Sequence, residues 1–157
     1  MTSKKMSESR VEMTQLVLPE HTNAMGTIFG GQIMAWVDIA AAICAFRHCR
    51  MPCVTVSMDA LDFISPVKLG EIVILRANIN FAGKSSMEIG VKVTAENPLT
   101  GELKHTASAY LTFVALDNTG KPAAQIPTLI TENDKERNWL DEAKQRRAAR
   151  LALKIKK

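Results

Sequence analysis

Residues 33–46, IMAWVDIAAAICAF, form a run of fourteen positions that is apolar at every one except Asp38. A helix over this run has no face to offer water, so other parts of the chain must enclose it on all sides. The run is too short, and its central carboxylate too polar, for a bilayer span. The enclosure therefore has to be protein, and no membrane insertion is expected. At 157 residues the chain can build one domain with a proper core, which leaves little room for a second independent function.

The segments available to enclose the helix alternate with the period of two that marks strands. Met87, Ile89, Val91, Val93 and Ala95 alternate with Glu88, Gly90, Lys92 and Thr94, which predicts a strand with one wet face. Residues 72–81 and 104–116 repeat the pattern, and FAGKSS and ENPLTGE are short turns between them, as in an antiparallel meander. A strand over 53–64 changes parity after Ala60, which predicts a bulge there. A weaker first strand lies over 10–18. Helices are expected at 31 to about 47 and at about 133 to 155, the second capped by TEND and docked through Trp139 and Leu140. The fold class is α+β, with one antiparallel sheet wrapped around a long central helix plus a C-terminal helix. The expected organisation is a flexible segment 1–8, a domain 9–128, and a charged helical extension 129–157.

Charge divides the chain at the same place. Residues 1–130 carry eleven Lys/Arg against eleven Asp/Glu, so the net charge of +4 resides wholly in 131–157. The basic tail has no aromatic interleaving and no recognition motif, so it reads as a solvated helix end and no nucleic-acid partner is expected. MTSKKMSESR has no apolar core of a secretory signal, and three cysteines suit a reducing compartment, so a cytoplasmic location is expected. His48, Cys49 and Cys53 in HCRMPC supply at most half a metal site, so ordinary thiols and no metal are expected.

No Ser-elbow, phosphate-loop, zinc-helix or dinucleotide signature occurs in the chain. Asp38 remains as the leading candidate for chemistry, because a carboxylate on an apolar helix needs a partner or a task. Gly30 and Gly31 stand at the helix start, where free backbone N–H groups and the positive dipole end can hold a carbonyl oxygen as it becomes negative. Seven or eight residues at about 1.5 Å each put Asp38 some 10–12 Å from those amides, too far to act on the same carbonyl. One reaction using both requires a homodimer with two shared sites.

HTNAMGTIFGGQIMAWVDIAAA, VTVSMDALDFISPVKLGE, FAGKSSMEIGVKV and TASAYLTFVALDNTGK follow one another over residues 9–128. Together these blocks resemble the hotdog-fold acyl-CoA thioesterases, in particular the bacterial short-chain-type and cytosolic acyl-CoA hydrolase branch. The resemblance implies hydrolysis of acyl-CoA to free CoA and a carboxylic acid by a trimer of hotdog dimers, without a cofactor other than CoA itself as part of the substrate. It makes Asp38 the catalytic acid, as base or as nucleophile, with Asn23, Gly30 and Gly31 completing the catalytic set. It assigns CoA binding to Thr55, Val56, Gly83, Lys84, Ser85 and Ser86. Two rivals share the fold: a dehydratase, which needs a histidine that the helix lacks before His48, and a non-catalytic acyl-CoA-binding module.

Overall fold

A computed structural model gives the structure of residues 2–156. Its elements are β1 (Ser3–Lys5), β2 (Val11–Leu16), α1 (Gly30–Cys49), β3 (Cys53–Phe63), β4 (Ile72–Ala82), β5 (Ser86–Glu96), β6 (Leu103–Ala115), β7 (Thr128–Ile130) and α2 (Asp134–Lys156). Five strands form one antiparallel sheet in the order β2-β4-β5-β6-β3, and α1 packs on its inner face. Alternation supplies the inner layer: Val73, Leu75, Ala77 and Ile79 of β4, and Met87, Ile89, Val91 and Val93 of β5, are buried beneath Ile33, Val37, Ala40, Ala41 and Cys44 of the helix. No helix among the described residues is long and apolar enough to cross a membrane.

The sheet covers only one side of α1. Met34, Ile39 and Phe46, on the other side, are 42%, 50% and 43% exposed, so the all-round burial expected of this helix is not met within one chain. A single curved sheet reaches about half of a cylinder, and an apolar helix then has a face left for something else. The strand beside it has the same character. β3 is an edge strand of eleven residues whose Val54, Val56 and Phe63 are each about half exposed.

The expected bulge is present. Pairing of β3 with β6 slips between Asp59 and Asp62, and Ala60 takes the left-handed φ of 51°. An alanine pays roughly 1–2 kcal/mol for that conformation, so the kink is held by the strands around it.

Residues 3–8 are not a loose segment. β1 lies parallel to β7, with Ser3 opposite Thr128 and Lys5 opposite Ile130, and the following turn buries Met6 completely. This clasp straddles both boundaries expected at 8/9 and 128/129. Its strands have three residues each, too few for any periodicity to be visible.

The outer face of the sheet is also drier than its alternation predicts. Asn80 and Glu88 are buried there, because α2 crosses that face instead of ending in solvent. Asn133 caps α2, its side-chain oxygen accepting from Glu136 N–H at 2.9 Å, and Glu136 accepts in return from Glu132 N–H at 3.0 Å. Trp139 and Leu140 are half-buried as expected, and Ala143 is fully buried. The basic residues contribute as well. Glu88, 1% exposed, accepts from Arg146 at 2.7 and 3.2 Å and from Arg150 at 3.0 Å, while Arg146 lies over the Tyr110 ring at 3.7 Å. The solvated-tail reading therefore fails for these two arginines. Gly90 fits the same face because Asn80 Nδ2 lies 2.6 Å from where a Cβ would stand.

Candidate active site

Asp38 sits in the middle of α1, partly buried, and the Thr55 hydroxyl of β3 donates to its Oδ1 at 2.7 Å. Thr55 is thus seated on the acid, two strands across the sheet from the β4–β5 turn. A hydroxyl donor fixes the carboxylate in one orientation and leaves its other oxygen open.

The helix start lies elsewhere. Phe29 caps it without a side-chain hydrogen bond, and Gln32 and Ile33 donate back to Phe29 O at 3.1 and 3.3 Å. The N–H groups of Gly30 and Gly31 have no acceptor among the described residues, so both are available to an oxygen from outside. A Cβ on Gly30 would stand 3.4 Å from the Phe63 ring, whereas one on Gly31 would meet nothing within 4 Å. Thr27, Ile28, Gly30, Ile33, Phe63 and Ile64 border a hollow of about 310 Å³ at this point. Gly30 is matched to Phe63 at the end of β3, and Asp38 to Thr55 near its beginning. Within one chain the amides and the acid therefore stand at different places along the helix, as the rise of about 12 Å over eight residues requires.

Asn23 organises the loop that leads into α1. Its side-chain oxygen accepts from the N–H of Met25 at 2.9 Å and of Thr27 at 3.3 Å, and its backbone N–H donates to Thr27 O at 2.8 Å. Its Nδ2 donates to Thr27 Oγ1 at 3.0 Å, which leaves one amide hydrogen uncommitted. Phe29 N–H donates to His21 O, joining this loop to the helix cap.

Gly83, Lys84, Ser85 and Ser86 form the tight β4–β5 turn, closed by Gly83 N–H donating to Ser86 O at 2.8 Å. Ala115 N–H donates to Ser85 O and Ile126 N–H to Lys84 O, so the turn is anchored to the end of β6 and to the segment after it. Val54, Val114 and Ser86 stand in one cross-strand row, and Thr55, Phe113 and Met87 in the next. The turn is therefore at Asp38's end of the sheet, about 10 Å across two strand spacings. Val56 and Ser86 border a common hollow on the outer face, opposite Thr55.

The thiols at the end of α1 serve other ends. Burial pushes the Cys44 thiol up to about 11. A hydrogen bond from Cys53 holds Cys49 down to about 6 and raises Cys53 itself, so one thiol of the pair keeps its proton for the other. His48 is buried with its Nε2 2.8 Å from Pro127 O. Among the described residues no three His, Cys, Asp or Glu side chains come together as metal ligands would.

The sequence profile described as Thioesterase superfamily matches residues 25–102. An uncharacterised acyl-CoA thioester hydrolase of Bacillus subtilis, YkhA, is 44% identical over 129 residues, covering 82% of this chain and 74% of that protein. Acyl-coenzyme A thioesterase 11 of mouse is 37% identical over 91% of this chain, and the chain spans 24% of that protein's length. Among solved structures, an acyl-CoA hydrolase of Staphylococcus aureus in complex with butyryl coenzyme A, coenzyme A and coenzyme A disulfide has a TM-score of 0.91 at 40% identity, covering 98% of this chain and 93% of that one. The same enzyme was solved with alanine replacing an asparagine, an aspartate fifteen residues further on, and a threonine seventeen residues beyond that. A hexameric acyl-CoA thioesterase in its apo form has a TM-score of 0.92 at 37% identity, covering 97% of each chain.

Proposed function

This chain belongs to the thioesterase superfamily, and from that premise we propose that it hydrolyses acyl-CoA thioesters to free CoA and a carboxylic acid. The observation that carries the reading is the Thr55–Asp38 hydrogen bond together with its spacing. Asn23, Asp38 and Thr55 are separated by fifteen and seventeen residues, the separations between the three positions replaced in the Staphylococcus aureus hydrolase.

In this reading the thioester carbonyl accepts from the free amides of Gly30 and Gly31, whose helix dipole favours the oxyanion. Asp38 activates a water by taking its proton, or attacks the carbonyl itself to form an anhydride that water then opens. Both routes expel the CoA thiolate, a good leaving group, and coenzyme A takes part only as that leaving group. Asn23 directs its uncommitted amide hydrogen at the water or the thioester. The acyl chain occupies the apolar hollow between Ile33 and Phe63. Free thiols at Cys44, Cys49 and Cys53 suit a reducing, cytoplasmic setting.

The separation of the amides from Asp38 supports a site shared between two copies. An apolar face of α1 and an unpaired β3 edge, both exposed, are the surfaces such a dimer would cover. The hexameric relative favours three of these dimers together.

Release of free thiol from a panel of acyl-CoAs of increasing chain length tests the activity. Turnover of at least one member is expected. Tight binding without thiol release across the panel would favour the acyl-CoA-binding module instead.

Mixed dimers test the shared site. Asn23→Ala and Asp38→Asn homodimers are each expected to be nearly inactive. Co-expression should restore about a quarter of wild-type activity, because half of the dimers are mixed and each of those has one intact site of two. Tagged heterodimers that are as inactive as their parents would place the whole site within one chain.

A further inference from the structure

The Glu88 contacts do not use all the cations of α2. Among the described residues, Arg147, Lys154 and Lys84 have no carboxylate within ion-pair reach, unlike Arg146 and Arg150. Arg147 lies over the Phe81 ring at 5.3 Å, and Lys154 is exposed about two helical turns further on. With Leu151 they roof a hollow of about 310 Å³ whose floor includes Val56, Phe81, Ser86 and Val114. Ser86 closes the turn that carries Lys84, and Val56 follows the threonine that holds Asp38. Two unpaired cations thus overhang an apolar floor at the acid's end of the sheet, on its opposite face, and the turn that carries the third, Lys84, borders it through Ser86.

A coenzyme A thioester has the matching distribution of groups. Its pyrophosphate and ribose phosphate lie at one end beside a flat adenine, and the long pantetheine arm carries the thioester far from them. Phosphates need clustered cations, and such cations need not be close to the reacting carbonyl. Resting on the thioesterase reading, we propose that α2 completes the coenzyme A site. Arg147 and Lys154 join Lys84 in holding the phosphates, the apolar floor takes the adenine, and the pantetheine arm leads over this end of the sheet to Asp38. The basic C-terminal helix then has a task beyond packing: it distinguishes coenzyme A esters from thioesters without phosphates.

The test compares wild type, the double variant Arg147→Ala/Lys154→Ala, and Lys154→Glu, whose exposed site leaves the fold intact. Each is assayed with the best acyl-CoA and with the same acyl group on N-acetylcysteamine, which keeps the thioester and lacks every phosphate. Free CoA binding is measured alongside by calorimetry. In the double variant, KM for the acyl-CoA and Kd for CoA should rise about tenfold, with kcat changed less than about twofold and kcat/KM for the truncated thioester unchanged. Lys154→Glu should move the same two constants several-fold. Unchanged KM and Kd, or equal losses on both thioesters, would overturn the proposal. A wild type that hydrolyses neither thioester, yet binds CoA with an affinity that Lys154→Glu weakens, would remove the hydrolase reading and leave the anion site standing.

Discussion

Asp38→Asn is expected to lower kcat for acyl-CoA hydrolysis by about a hundredfold or more, with the fold and the oligomer unchanged. The amide has the shape of the carboxylate, and its oxygen can still accept from the Thr55 hydroxyl at the distance now seen, 2.7 Å. Packing around the helix is therefore preserved. What is lost is a group able to take a proton from water or to attack a carbonyl, and both proposed routes need one. Because the substrate's contacts with the helix-start amides and the β4–β5 turn remain, KM should change much less than kcat. Steady-state kinetics together with size-exclusion chromatography and circular dichroism check this. Near-native turnover would mean that the reaction is run from some other residue.

The largest stability effect is expected at Glu88. The side chain is 1% exposed and accepts from both Arg146 and Arg150, which are themselves only 24% and 21% exposed. Glu88→Ala removes the acceptor and leaves the Arg146 guanidinium without a carboxylate beneath α2, while Arg150 keeps only its longer pairing with Asp59 at 3.5 Å. Breaking a buried pair in this way costs about 3–5 kcal/mol. For a chain of this size the loss corresponds to a fall in Tm of roughly 6–20 °C. Replacing Glu88 and Arg146 together with Met or Leu, with Arg150 left on Asp59, should restore most of it, since the penalty comes from the orphaned charge more than from the lost attraction. Thermal denaturation of the two variants decides the matter. A Tm within about 2 °C of wild type for Glu88→Ala would show that α2 is held by its apolar contacts alone.

Glu88 also shows where the sequence stops being legible. The alternation of residues 87–95 predicts the strand and assigns each side chain to a face. It says nothing about what lies above that face, and so Glu88 and Asn80 read as wet although α2 buries them. The helix that covers them was visible as an element, and so were Trp139 and Leu140 as its docking residues. Its basic positions carry no mark that separates Arg146, locked on Glu88, from Arg147, free one residue later.

The bulge was readable because Ala60 interrupts a parity that eleven residues make plain. The β1–β7 clasp was not, since each strand has only three residues. Of the candidate site, Asp38 follows from the cost of a carboxylate on an apolar helix, and the glycines from where that helix begins. The loop hydrogen bonds of Asn23 and the seating of Thr55 on Asp38 depend on pairings between distant segments, which no local pattern encodes.

The clasp has a consequence for how the chain is made. Ser3 pairs with Thr128, so the ribosome releases the first strand long before its partner exists. Synthesis at about 5–20 residues per second leaves β1 waiting many seconds, and Met6 with it, for a place in the core. The sheet from β4 to β6 can form in that interval from neighbouring hairpins, whereas the clasp closes a loop of most of the chain and should form late. A nascent chain stalled before β7 should therefore hold a protease-resistant meander with an accessible N-terminus, and protection of that terminus should arrive only when β7 has cleared the exit tunnel.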